Sequence, residues 1–145
     1  MSIDGQYDGD NVFAKILRGD IPAAKVFEDG HVLAFMDVFP QSRGHLLVIS
    51  KESKALNILD VETDVLSHMI LGVQRLAKAV RAALDPDGIV ITQFNGAAAG
   101  QSVFHLHFHI IPRWAGQPLR AHGEGGMADT NELADLARRI AAMID

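Results

Sequence analysis

The run His105-Leu106-His107-Phe108-His109-Ile110-Ile111 constrains this chain more than any other feature. Polar and apolar residues alternate through it with a period of two, the period of a β-strand. His105, His107 and His109 therefore share one face, with neighbours about 7 Å apart from two rises of about 3.3 Å. Leu106, Phe108 and Ile110 share the other face, which must be the core side. A strand that needed only solubility would carry Thr, Lys or Glu on its outer face. Three imidazoles in register require another explanation.

Three explanations compete. The bland one is three unrelated solvent-facing histidines, a better account of one histidine than of three alternating ones. The second is a metal site, since His-x-His on a strand presents two zinc ligands. Against it, three same-face residues lie nearly on a line, whereas a tetrahedral ion draws a ligand from another element. The third is transfer of a phosphate-bearing group. A neutral imidazole is a good nucleophile at pH 7, and its neighbours can donate to phosphate oxygens or to a leaving group. The preceding loop, Asn95-Gly96-Ala97-Ala98-Ala99-Gly100-Gln101-Ser102, favours the third. Gly96 and Gly100 allow close backbone approach, and Asn95, Gln101 and Ser102 add neutral donors. It is not a P-loop, because Gly-x-x-x-x-Gly-Lys is absent.

The rest of the chain supplies a scaffold. Asn11 caps a short helix to Gly19, with Val12, Phe13, Ile16 and Leu17 on its apolar face. Strands are expected at 25–27 and 32–36 around an Asp29-Gly30 turn, then at 45–50, 89–94 and 103–111, the last ended by Pro112. The apolar spacing predicts a long helix over 61–84 and, after an Asp129-to-Glu132 capping box, a final helix over about 130–144. Residues 1–10 read as a loose arm and 11–145 as one domain. The pattern implies an α+β fold on one mostly antiparallel five-stranded sheet with flanking helices.

Composition removes several classes. The chain has no cysteine, so disulfides, thiolate zinc sites and cysteine nucleophiles are excluded. Formal net charge is -5 and Arg138-Arg139 is the only adjacent basic pair, so no basic stripe offers itself to a nucleic-acid polymer. The first ten residues are polar and carry three aspartates, unlike a secretory signal, and no apolar run is long enough for a membrane span. A soluble cytoplasmic protein is expected. The apolar share is high, at 48% before glycine is counted. That fits a buried subunit interface or simply an alanine-rich composition.

The histidine run has the form His-φ-His-φ-His-φ-φ, and the chain resembles the histidine triad (HIT) superfamily of nucleotide hydrolases and transferases, its nucleotide-binding branch in bacterial form. Phe13-Ala14-Lys15-Ile16, Ile21-Pro22-Ala23, Ala34-Phe35-Met36-Asp37, Gly44 to Ile49 and Gly100 to Val103 carry the resemblance in order. It implies a two-fold homodimer pairing the long helix and a sheet edge. It implies His107 as nucleophile toward an α-phosphate, His105 as support for that ring, and His109 as donor to phosphate or leaving group. His45 matches a fourth histidine behind the triad, and Ser102 belongs with this catalytic set. Asp37 matches the acceptor of ribose hydroxyls; otherwise it reads as a turn aspartate. Asn95, Gly100, Gln101 and Ser102 match phosphate contacts. Phe13, Ile16 and Phe35 match a purine slot; otherwise they read as core.

The implied activity is hydrolysis of purine nucleoside 5′-phosphoramidates through a nucleotidyl-histidine, releasing AMP or GMP without a cofactor. A dinucleoside polyphosphate hydrolase and a non-catalytic nucleotide-binding adaptor are the alternatives, with a zinc hydrolase behind them. Many bacterial relatives hold a structural zinc on Cys-x-x-Cys, a later histidine and the first triad histidine. Here those positions are Asn11, Ala14 and Ser53, so no structural zinc is expected. The tail after Arg113 also departs from the Trp-Pro-Pro-Gly ending of eukaryotic members. His31, His68 and His122 read as surface residues.

Overall fold

The computed structural model describes residues 1–145. Helix α1 (Val12–Arg18) begins where Asn11 Oδ1 accepts the Phe13 and Ala14 N–H groups and stops at Gly19, which is left-handed. Strands β1 (Lys25–Glu28) and β2 (Val32–Met36) flank a tight loop in which Asp29 accepts the His31 and Val32 N–H groups. Strand β3 (Leu46–Ser50), helix α2 (Thr63–Leu84), strands β4 (Gly88–Thr92) and β5 (His107–Arg113), and helix α3 (Thr130–Ala141) follow. The sheet runs β1-β2-β3-β5-β4 and every pairing is antiparallel.

The expected α+β class and five-stranded sheet are present, and the differences fall at element ends. Strand β5 starts at His107 rather than Val103. The Leu106 N–H goes to the Ala55 carbonyl, off the sheet, so His105 sits in a bend before the strand. Pro112 does not end β5, which runs through it to Arg113. Strand β3 stops opposite Ile110, so Pro112 faces no β3 residue and pairs only with Ile89 of the edge strand β4. His45 precedes β3 instead of opening it, and β4 ends two residues before Phe94. Helix α2 starts at Thr63 rather than Val61. Helix α3 ends at Ala141, short of Ile144; Asp129 caps it, but Glu132 does not close the reciprocal half of the box.

The two sheet faces do different work. One packs against α2 and α3: Val32, Ala34, Met36, Leu46, Val48, Leu106, Phe108 and Ile110 meet Met69, Val73, Leu76, Val80, Leu133, Leu136 and Ile140. The other carries the histidines and a smaller cluster of Phe13, Ile16, Leu33, Phe35, Leu47 and Ile49, closed by α1. The alternation in the histidine run is thus the alternation between a deep core and a functional face. Gly44, at φ 88°, turns the chain into β3; a Cβ there would sit 2.4 Å from Leu84 and 3.2 Å from Pro112. The backbone angle demands glycine directly before His45, and any side chain there would also have to push the end of Leu84 aside. No helix is long and apolar enough to cross a membrane.

Candidate active site

Register fixes the two histidines that lie on β5. Ile49 stands opposite His107, and His109 lies between Leu47 of β3 and Thr92 of β4. Because β4 ends at Thr92, the sheet opens beside His107. The His107 and His109 rings are 5.1 Å apart, and Phe13 meets His107 edge-on at 4.9 Å. His45 reaches the same cluster from the loop before β3, 5.1 Å from the His109 ring.

Hydrogen-bond partners fix the proton on each ring. His105 Nε2 is 2.7 Å from the Ser50 carbonyl, which can only accept, so Nε2 carries the hydrogen. Its bare Nδ1 then accepts from the Tyr7 hydroxyl at 2.8 Å. His107 donates Nδ1–H to the His105 carbonyl at 2.7 Å, which leaves Nε2 with a lone pair. The Gln41 N–H donates to His45 Nδ1 at 3.0 Å; His45 Nε2–H donates to His109 Nδ1 at 2.9 Å; the remaining hydrogen of His109 therefore sits on Nε2.

This sorts the four histidines into two kinds. His45 and His105 have both ring nitrogens engaged. His107 and His109 each keep an Nε2 with no partner in the chain. No fully buried side-chain nitrogen or oxygen lacks a partner, so those two Nε2 atoms open to the surface. One presents a lone pair and the other a hydrogen.

Burial holds the rings neutral. His107 is pushed down to about 4, chiefly by desolvation, against the His105 carbonyl that favours its charged form. His45 and His109 are pushed down to about 3 by burial and then by neighbouring histidines. His105 is also lowered by burial, opposed by the Ser50 carbonyl.

The other expected site residues divide. Phe13, Ile16 and Phe35 pack together beside His107, and Phe13 also meets Phe35 edge-on at 5.5 Å. Asp37 is buried and does close a turn, accepting the Phe39 N–H at 2.8 Å. Its other oxygen is 3.1 Å from His122 Nε2 and 3.5 Å from His45 Nε2. Gln101 corrects an expectation: Nε2 gives both hydrogens to the Leu56 and Val103 carbonyls, and Oε1 takes the Gly96 N–H. It braces the loop and has no donor left for phosphate. Asn95 Oδ1 accepts from Ile58 and Gln93, leaving its Nδ2 uncommitted. Ser102 and Gly100 lie exposed on the same loop.

Two residues escaped sequence reading. Tyr7 comes from the supposed loose arm, which is also held by the bonds Ala97 N–H to Met1 O and Asn57 Nδ2 to Ile3 O. His122 is exposed, as expected, yet faces Asp37 across 85 residues of sequence. Neither carries a local motif that would mark it. His31 and His68 stack on each other at the surface.

Metal fits poorly at either candidate position. At the positions of the bacterial zinc, Asn11 caps α1, Ala14 has no ligand atom, Ser53 Oγ accepts the Ala55 N–H, and both nitrogens of His105 are taken. That set does not suit zinc. Elsewhere, Asp37, His45 and His109 place one ligand atom each within 4.8 Å of one another. An ion there would have to break a bond of the Gln41-His45-His109 chain.

Fold and site define an α+β protein organised around a polarised histidine cluster. A family model, the HIT domain, matches residues 18–116. The fold superposes on a HIT-like protein from Bartonella henselae, described as involved in cell-cycle regulation and holding an unknown ligand. That match has a TM-score of 0.91 and 46% identity, over 97% of this chain and 100% of the other. A hypothetical histidine triad nucleotide-binding protein from Sulfolobus tokodaii matches with TM-score 0.82 and 30% identity, over 90% and 89% of the two chains. Adenylylsulfatase HINT3 of Arabidopsis thaliana is 36% identical over 90% of this chain and 68% of its own. The chain belongs to the HIT family, whose members are generally nucleotide-binding hydrolases or transferases.

Proposed function

We propose that the protein hydrolyses purine nucleoside 5′-phosphoramidates by way of a nucleotidyl-His107. The observation that carries this reading is the pair of open Nε2 atoms, one with a lone pair and one with a hydrogen, on adjacent outward positions of β5. The His107 Nε2 lone pair attacks the α-phosphorus; the N–P bond forms, the bond to the amine breaks, and the amine leaves with a proton from water. His109 Nε2–H donates to a phosphoryl oxygen, where charge develops. Water then displaces His107 and releases AMP or GMP. Ser102 and the Asn95 amide supply the loop's side-chain donors to phosphate. Phe13, Ile16 and Phe35 wall the purine, and Asp37 receives the ribose hydroxyls once His122 gives way. His45 and His105 hold the working rings in their tautomers.

The discriminating test is a panel with chelator present: an adenosine 5′-phosphoramidate, a diadenosine polyphosphate and adenylylsulfate, the last because of the plant relative's name. The phosphoramidate is expected to give the highest kcat/KM. Preference for the diadenosine compound would move the assignment to a dinucleoside polyphosphate hydrolase. Tight AMP binding without turnover of any of the three would leave an adaptor.

The working form is proposed to be a homodimer. Exposed Ile70 of α2 and Ile91 of the edge strand β4 flank an apolar groove with Val73, Ala77 and Ile89. An unpaired strand edge beside an apolar helix face suits a two-fold partner. Sedimentation should give a dimer at micromolar concentration, and Ile91→Lys should shift it to monomer. A monomeric wild type would dispose of the idea.

A further inference from the structure

The His105 ring has an unusual tether. Its Nδ1 is met by the hydroxyl of Tyr7, 98 residues away in sequence, from a segment with neither helix nor strand. The two rings also lie tilted together at 5.6 Å. His105 is almost wholly buried, so without Tyr7 its Nδ1 would be an unmet acceptor in the interior.

The consequence reaches His107 through the backbone. His105 lies in a bend, outside the sheet ladder, so strand pairing does not fix its carbonyl. That carbonyl receives the His107 Nδ1–H and so places the lone pair on His107 Nε2. The peptide that carries it is held through the Leu106 N–H, which bonds the Ala55 carbonyl, and the residue is held a second time through its ring, by Ser50 at one nitrogen and Tyr7 at the other.

We propose that Tyr7 is a positioning residue for the His107 chemistry: its hydroxyl bond to His105 Nδ1 holds the His105 carbonyl where it sets the His107 tautomer. This rests on the reading of His107 as nucleophile. The N-terminal arm thereby becomes part of the catalytic apparatus without touching substrate.

Tyr7→Phe removes only the hydroxyl and keeps the ring contact. Two readouts are measured on the full chain: turnover of the adenosine phosphoramidate, and ¹⁵N spectra of the histidine side chains without substrate. The expected result is a kcat lowered about 10-fold with KM within about twofold, the cost of one misplaced hydrogen bond. His107 should pass from a single Nδ1–H tautomer to a mixture, with the melting temperature lowered by only a few degrees, the cost of the acceptor left unmet on His105. Wild-type kcat together with an unchanged His107 tautomer would overturn the proposal. If the wild type turns over nothing, the catalytic reading fails separately, and the spectra still decide whether Tyr7 sets the tautomer.

Discussion

Replacing His107 with alanine is expected to lower kcat on an adenosine phosphoramidate by at least about 10³-fold while AMP still binds. The size follows from how little of the site is redundant. Of the four clustered histidines, only His107 presents a free lone pair; His45 and His105 are committed at both nitrogens, and His109 offers a hydrogen instead. No cysteine exists to substitute. Because burial holds His107 near 4, it is already unprotonated at neutral pH and needs no separate base. His109→Ala should cost about 10²-fold, the usual loss when one donor to a developing oxyanion is removed. Mass spectrometry after an acid-free quench should find a nucleotidyl adduct on His107 in the wild type. Equal losses for both variants, with no adduct, would point to direct attack by water and sink the covalent route.

Much of this was legible in the sequence, because it depends on local periodicity. The alternation around His107 gave the sheet face, and Asn11 and Gly19 marked both ends of α1. Division of labour within the triad came from the family resemblance and not from the spacing. Equal spacing made three equivalent histidines, but the Leu106 N–H bonds Ala55 and takes His105 off the sheet, turning it into a brace. Gln101 failed for a related reason: composition marks a donor, not whether backbone carbonyls have already claimed it. Tyr7 and His122 meet the site across 98 and 85 residues, and a single sequence holds no trace of such contacts.

The same buried histidines should make the fold acid-sensitive well above the carboxylate range. His45 and His109 are held at about 3 and His107 at about 4, against 6.5 for the unperturbed group. Between those limits the unfolded chain binds protons that the folded chain refuses, so stability rises with pH. Their contribution is complete above pH 6.5 and is lost as pH falls toward the folded values. One such histidine removes about 1.7 kcal/mol between pH 6.5 and pH 5, so three acting independently remove about 5 kcal/mol. That is a large share of a typical stability of about 5–15 kcal/mol. Urea midpoints should therefore fall steeply from pH 7 to pH 5. The carboxylates with lowered values, Glu28 and Asp29, add their losses only below their unperturbed values of 4.5 and 3.8, so from pH 6.5 down to 4.5 the histidines act without them. His45→Gln cannot take up a proton and should flatten the slope by one histidine's share, even if it lowers stability at neutral pH. A midpoint unchanged from pH 7 to pH 5 would mean the rings protonate in place, and the neutral tautomer chain behind the His107 lone pair would have to be abandoned.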